Sequence, residues 1–175
     1  LEKAATNRYY TLIDSVADTI DKCHDAKQKA ALLLIRAVAY SDTQNNEAAI
    51  DDLTAVVQLD STQTLAYWQR AVCQARLNAV NASQGTDISM KTANVLSDLS
   101  EAIENNPSAI LYYNRGNVYV QRKDYLHAIE DYSKAIEMDS HLAEAYYNRG
   151  IARLALKQQA QAVADLSKAG ELGLY

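Results

Sequence analysis

The sequence predicts an all-α fold of paired antiparallel helices stacked in an array, and three observations carry that reading. Gly (5) and Pro (1) are scarce while good helix formers such as Ala, Leu, Glu, Lys and Gln abound. One stretch of the chain repeats itself 34 residues later. The segment ahead of the repeats, residues 3–25, spaces Tyr9, Leu12, Ile13, Val16, Ala17 and Ile20 as the apolar face of a helix.

Composition narrows the function classes. With 175 residues, 49% apolar and 22% charged, the chain is long enough to bury a core and lacks the signature of disorder. Its 17 basic and 22 acidic residues leave a net charge of −5, and no Lys/Arg stripe stands against it, so nucleic acid is not an expected partner. No apolar run approaches the roughly 18 residues of a membrane span. The start, Leu1-Glu2-Lys3, shows neither an initiator Met nor a signal-peptide apolar segment, so the chain reads as an excised piece and its compartment is not legible. Cys23 and Cys73 have no CxxC spacing and read as buried free thiols.

The repeat is read from self-similarity. Tyr112-Tyr113-Asn114-Arg115-Gly116 returns as Tyr146-Tyr147-Asn148-Arg149-Gly150. Ala128, Asp131, Ser133, Lys134 and Ala135 return as Ala162, Asp165, Ser167, Lys168 and Ala169. Upstream, Ala66-Tyr67-Trp68-Gln69-Arg70-Ala71 and Leu33-Leu34-Ile35-Arg36-Ala37 keep the phase. Four repeats result, at 30–63, 64–108, 109–142 and 143–175, with residues 1–29 as an N-terminal capping helix or half repeat. In the second repeat Ala71 and Ala102 are 31 residues apart where Gly116 and Ala135 are 19 apart, so twelve residues are inserted. They fall at about Asn78–Met90, a polar stretch with a glycine that predicts an exposed loop.

Over residues 30–175 the chain resembles the tetratricopeptide repeat (TPR) family. The third repeat supplies the family's large and small positions as Tyr112, Gly116, Ala128, Tyr132 and Ala135. The first repeat departs from the pattern at Leu33 and Val56, the fourth at Leu166, and the closing Pro occurs once, as Pro107, leaving other helix ends to Asp60-Ser61 and Asp139-Ser140. The resemblance implies a right-handed superhelical solenoid of four antiparallel helix hairpins plus an N-terminal helix, with the first helices lining an inner wall. The flavour of the ending Asp165-Leu166-Ser167-Lys168-Ala169-Gly170-Glu171-Leu172-Gly173 is similar to bacterial members of the family. Gly170 and Gly173 are expected to loosen the last turn, and the apolar face of the last hairpin to be uncovered.

Arg36, Arg70, Arg115 and Arg149 recur in phase on the first helices, and Asp52, Asp98, Asp131 and Asp165 on the second. An anion-binding arginine ladder is one reading. An ion pair inside each hairpin is the other, favoured because Arg tracks Asp in every repeat and a guanidinium fork suits a carboxylate.

Catalytic chemistry finds no constellation: His24, His127 and His141 stand in three unlike phases, no phosphate loop is present, and no Ser/His/Asp or Cys/His grouping forms. No catalytic residue, metal or cofactor is expected. By the resemblance, the groove is lined by Trp68, Gln69, Tyr113, Asn114, Asn117, Tyr147 and Asn148. An aromatic followed by an amide occurs there in three consecutive repeats, a face suited to an extended peptide. Packing on neighbouring helices is the other reading of those rings. Asn117 and Asn148 match the amide places of the carboxylate clamp that chaperone-tail binders use, but the basic places are held by Leu34, Ile110 or Tyr113, and Gln69 or Asn114, so that clamp is absent. The expected function is a non-catalytic protein-interaction module for a protein or peptide partner. The alternative is a structural domain that associates through its C-terminal hairpin, as a homo-oligomer among other possibilities.

Overall fold

A computed structural model describes the backbone of residues 2–83 and 89–174, and the side chains of 6–81 and 92–174. The described residues form helices and turns only. In chain order the helices are α1 (Glu2–Lys22), α2 (Ala26–Asp42), α3 (Asn46–Leu59), α4 (Thr64–Ser83), α5 (Ser89–Asn105), α6 (Ala109–Gln121), α7 (Tyr125–Met138), α8 (Ala143–Ala155) and α9 (Gln159–Glu171). The chain divides into two compact units, Leu1–Asp98 and Leu99–Tyr175, which meet within α5.

In the first unit α1 packs on α2, α2 pairs with α3, and α3 packs on α4. Ile20 of α1 joins Leu33, Ala37, Leu53, Val56, Ala66 and Cys73 in one apolar cluster, so α1 covers the open face of the first hairpin. In the second unit α6 pairs with α7, α7 packs on α8, and α8 pairs with α9. Small residues at fixed places let the paired backbones close up: Ala128, Ala135, Ala145, Ala152 and Ala162 are wholly buried. Cys73 is a buried free thiol, whereas Cys23 is only half-buried and leans on the Asp25 carbonyl.

Helix ends follow local chemistry. Asp25, Asn45 and Asp124 each accept a hydrogen bond from the backbone N–H three residues on, the usual way to satisfy an orphan donor at a helix start. Three hairpin turns share one device. Gln44, Lys123 and Lys157 take left-handed φ values of 61°, 59° and 61°, and the next residue's N–H reaches back to Tyr40, Tyr119 and Arg153 carbonyls. This is the Schellman closure, normally built with glycine. Gly173 forms the same closure after α9 with φ 94°, Leu174 bonding to the Ala169 carbonyl, so it closes the last turn where the sequence suggested that it loosens it. Between hairpins, Asp60 and Asp139 end α3 and α7, and their carboxylates accept from the backbone N–H two residues on.

The insertion differs from the expected loop. Residues Asn78–Ser83 continue α4 and Ser89-Met90 begin α5, while 84–88 lie outside the described residues. Asn78 is buried and takes a hydrogen bond from Gln74 one helical turn earlier, which fastens the extension of α4 into its own helix. A polar residue with a partner inside a helix leaves no mark in an apolar period, and the reading of a loop rested on that period.

Candidate functional site

The four Arg–Asp pairs are the most regular polar feature. In each hairpin the guanidinium faces the carboxylate side-on, Nε to Oδ2 and Nη2 to Oδ1: Arg36 with Asp52 (2.7 and 2.7 Å), Arg70 with Asp98 (2.8 and 2.6 Å), Arg115 with Asp131 (2.8 and 2.8 Å), Arg149 with Asp165 (2.9 and 2.7 Å). The carboxylates are 5–12% exposed. Hydrogen bonding to these carboxylates holds Arg36, Arg70 and Arg115 more firmly protonated than usual. The arginines are therefore spent on internal pairs, and the ladder for anions does not form.

The remaining nitrogen of three of these arginines reaches the preceding hairpin. Nη1 donates from Arg70 to Thr54 (3.2 Å), from Arg115 to Ser100 (3.1 Å) and from Arg149 to Ser133 (2.9 Å). Each hydroxyl stands two residues after the preceding hairpin's aspartate. Sequence reasoning passed over this triad although Thr54, Ser100 and Ser133 share a phase.

In the second unit the predicted groove residues form a connected polar chain. Tyr132, almost wholly buried, donates its hydroxyl to Asn117 Oδ1 at 2.7 Å. Asn148 Nδ2 donates to the same oxygen at 2.9 Å and to the Tyr113 hydroxyl at 3.2 Å. The Tyr113 and Tyr132 rings lie 6.0 Å apart, and burial pushes the Tyr132 phenol well above its ordinary value. Asn117 Nδ2 and Asn148 Oδ1 take no part in these bonds. Tyr147, beside Asn148 on α8, is 45% exposed, and Asn114 is half-buried. Of the two rings, Tyr113 is held in place by this network, while Tyr147 is open. Tyr132 belongs to the network and was read from sequence only as a packing residue.

In the first unit Trp68 and Gln69 are half-buried on α4, and the Trp68 indole N–H is shielded without a hydrogen-bond partner among the described residues. Among the described residues no group of three or more His, Cys, Asp or Glu is placed to hold a metal, and no helix is long and apolar enough to cross a membrane. His24, His127 and His141 are exposed, His127 pairing with Asp124 and stacking on Tyr119.

Comparison with known proteins agrees with this architecture. Residues 30–63 match a family model described as tetratricopeptide repeat, and residues 116–157 one described as TPR repeat. The chain is 30% identical over 111 residues to human tetratricopeptide repeat protein 13, a match covering 61% of this chain and 12% of that protein. Mouse tetratricopeptide repeat protein 16 is 28% identical over 137 residues, covering 77% and 17%. The chain therefore spans less than a fifth of the length of these curated relatives. In fold it is similar to a crystal structure of MamA, with a TM-score of 0.83 at 23% identity, covering 98% of this chain and 92% of that one. It is also similar to the first TPR of Spaghetti (RPAP3) bound to the HSP90 peptide SRMEEVD, with a TM-score of 0.64 at 24% identity, covering 74% and 94%. With its hairpins in 34-residue register and two stretches matched by the family's own models, the chain carries tetratricopeptide repeats at 30–63 and 116–157.

Proposed function

We propose that this chain is a non-catalytic protein-interaction module that holds an extended peptide or partner segment along the first helices of its hairpins. The observation that carries the reading is the Asn117–Asn148 arrangement. The two amides are fixed by Tyr132 and Tyr113, yet among the described residues the NH₂ of Asn117 and the carbonyl oxygen of Asn148 are uncommitted, the complement of a peptide group. Tyr147 stands open beside them as an aromatic anchor. Trp68 and Gln69 of the first unit are proposed as further contacts, and Asn114 as a lesser one. The relative from Spaghetti (RPAP3) holds a peptide, which supports the class of ligand. Since no Lys or Arg is among these residues, the ligand is neutral or mildly basic and its binding depends weakly on salt.

The test uses peptides selected from a random displayed library against the full chain. Tyr147→Ala leaves the tyrosine–amide network untouched and weakens the selected peptides by about 2 kcal/mol, the range of a central aromatic anchor. Peptides that bind this variant and Asn148→Ala as well as the parent sink the reading.

One observation favours a second reading, assembly through the last hairpin. Ser167 stands two residues after Asp165, as Ser133 does after Asp131, but is exposed and accepts from no arginine among the described residues, and Val163, one helical turn before it on α9, is 61% exposed. A Val163→Glu variant that lowers the mass in solution at high concentration supports assembly; a parent that is monomeric at every concentration excludes it.

A further inference from the structure

The residue one helical turn after each fork arginine is Tyr40, Gln74, Tyr119 or Arg153. In the first and third hairpins a ring stands there: Tyr40 lies 5.9 Å from the Arg36 guanidinium, and Tyr119 stacks on His127 at 5.2 Å. In the fourth, Arg153 brings a second guanidinium. Its Nη1 donates to Asp165 Oδ2 at 2.7 Å, the oxygen that also accepts from Arg149 Nε, and lies 3.5 Å from the Gln161 carbonyl oxygen. One carboxylate here holds two guanidinium groups side by side.

The second hairpin has the same carboxylate without the second guanidinium. Gln74 is too short to reach Asp98 in this way and turns to Asn78, while Asp98 Oδ2 accepts from Arg70 Nε at 2.8 Å and from no other group among the described residues. What remains is a cavity of about 330 Å³ in the first unit, bordered by Thr54, Arg70, Gln74, Asn94, Ser97 and Asp98. That volume is far above one water's share of about 30 Å³ and lies at the lower end of small-molecule sites. Asn94 precedes Asp98 by four residues as Gln161 precedes Asp165, so the backbone carbonyl that Arg153 approaches has its counterpart at the cavity edge.

We infer that this cavity is a binding site for a guanidinium group, taken from outside the chain. The fourth hairpin supplies the template: a planar cation donating to Oδ2 of the fork aspartate and toward the carbonyl four residues before it. The site offers the free lone pair of Asp98 Oδ2, the amide oxygens of Gln74 and Asn94 and the Ser97 hydroxyl, all acceptors for a fork of N–H donors. Two guanidinium groups on one carboxylate are tolerated, as Arg149 and Arg153 demonstrate. The chain's net charge of −5 adds a mild attraction for cations. Two sources share this chemistry, a free alkylguanidine and an arginine side chain of a partner peptide. The site is separate from the tyrosine–amide face and does not depend on the function proposed for it.

The experiment follows the Gln74 and Asn94 side-chain amide signals of the full chain by nuclear magnetic resonance. N-ethylguanidinium is titrated against N-ethylurea, which has the same shape without the charge. Saturable shifts with the first and none with the second are expected, with one equivalent bound. Gln74→Arg fills the cavity from within and weakens that binding by about tenfold or more, while Arg153→Gln opens the equivalent place beside Asp165 and raises the stoichiometry to two. Equal responses to the urea and the guanidinium, or an unaltered affinity in Gln74→Arg, overturn the assignment, and a stoichiometry that stays at one in Arg153→Gln removes the template on which it rests. Acetyl-Gly-Arg-Gly-amide binding about tenfold tighter than N-ethylguanidinium identifies a peptide side chain as the source; the reverse order identifies a small guanidine.

Discussion

The backbone of Gly116 lies so close to the ring of Tyr132 that a Cβ at 116 would stand 2.7 Å from Cε1. The ring is wholly buried and cannot swing away without breaking its hydrogen bond to Asn117. Gly116→Ala is therefore expected to destabilise by about 1–3 kcal/mol through overpacking, against the gain of roughly 1 kcal/mol that alanine normally brings to a helix interior. The first hairpin accommodates alanine at the matching place, as Ala37, opposite Leu53. Adding Tyr132→Leu to Gly116→Ala should recover part of the loss. A double variant whose denaturation midpoint equals the sum of the single effects would show that the two positions are not coupled.

The forks predict unequal costs for one chemical change. Arg115→Ala leaves the buried Asp131 without a cation and should cost about 3 kcal/mol or more. Arg149→Ala leaves Asp165 with Arg153 still attached and should cost clearly less. Urea denaturation of the two variants side by side decides the matter, and equal losses rule out the role given to Arg153.

Lys123 and Lys157 carry side chains in the left-handed conformation, which costs a residue with a Cβ roughly 1–2 kcal/mol and glycine little. After the entropy glycine loses on folding, Lys123→Gly should still raise stability by up to about 1 kcal/mol. A lowered melting temperature would mean that Lys123 makes up the strain through its side chain.

The Asp60 carboxyl is held below its usual range by hydrogen bonds from the Thr62 hydroxyl, the Gln63 amide and the Thr62 backbone. Because its folded value is depressed, its contribution to stability is present above the ordinary carboxylate range and fades as pH falls through the depressed value. Asp60→Asn should therefore be less stable than the parent at neutral pH and converge with it in strong acid. Parallel stability curves at all pH values contradict this.

The hairpins and forks were legible in the sequence because they rest on residue types that recur in phase: Arg four times, Asp four times, small residues between them. The Nη1 bonds to Thr54, Ser100 and Ser133 carried the same signal, but a serine or threonine two residues past an aspartate has many local uses and does not announce its partner. Arg153 occurs in one hairpin only, so no periodicity pointed to it, and the cavity beside Gln74 appears only when the two hairpins are compared in space. The Asn117–Asn148 bond was hidden for another reason. Adjacent groove amides are expected to face a ligand, and whether they also face each other depends on side-chain angles that spacing along the chain does not determine.

The arginine that closes its own hairpin and then touches the hydroxyl of the one before has a bearing on how such a chain can change over time. Arg70, Arg115 and Arg149 carry a plug at the front of their hairpins, and Thr54, Ser100 and Ser133 form a socket at the back of the hairpins that precede them. A hairpin copied or exchanged as a whole brings both fittings with it. Units built this way are interchangeable parts, and a gene can lengthen or shuffle them without inventing a new polar joint each time.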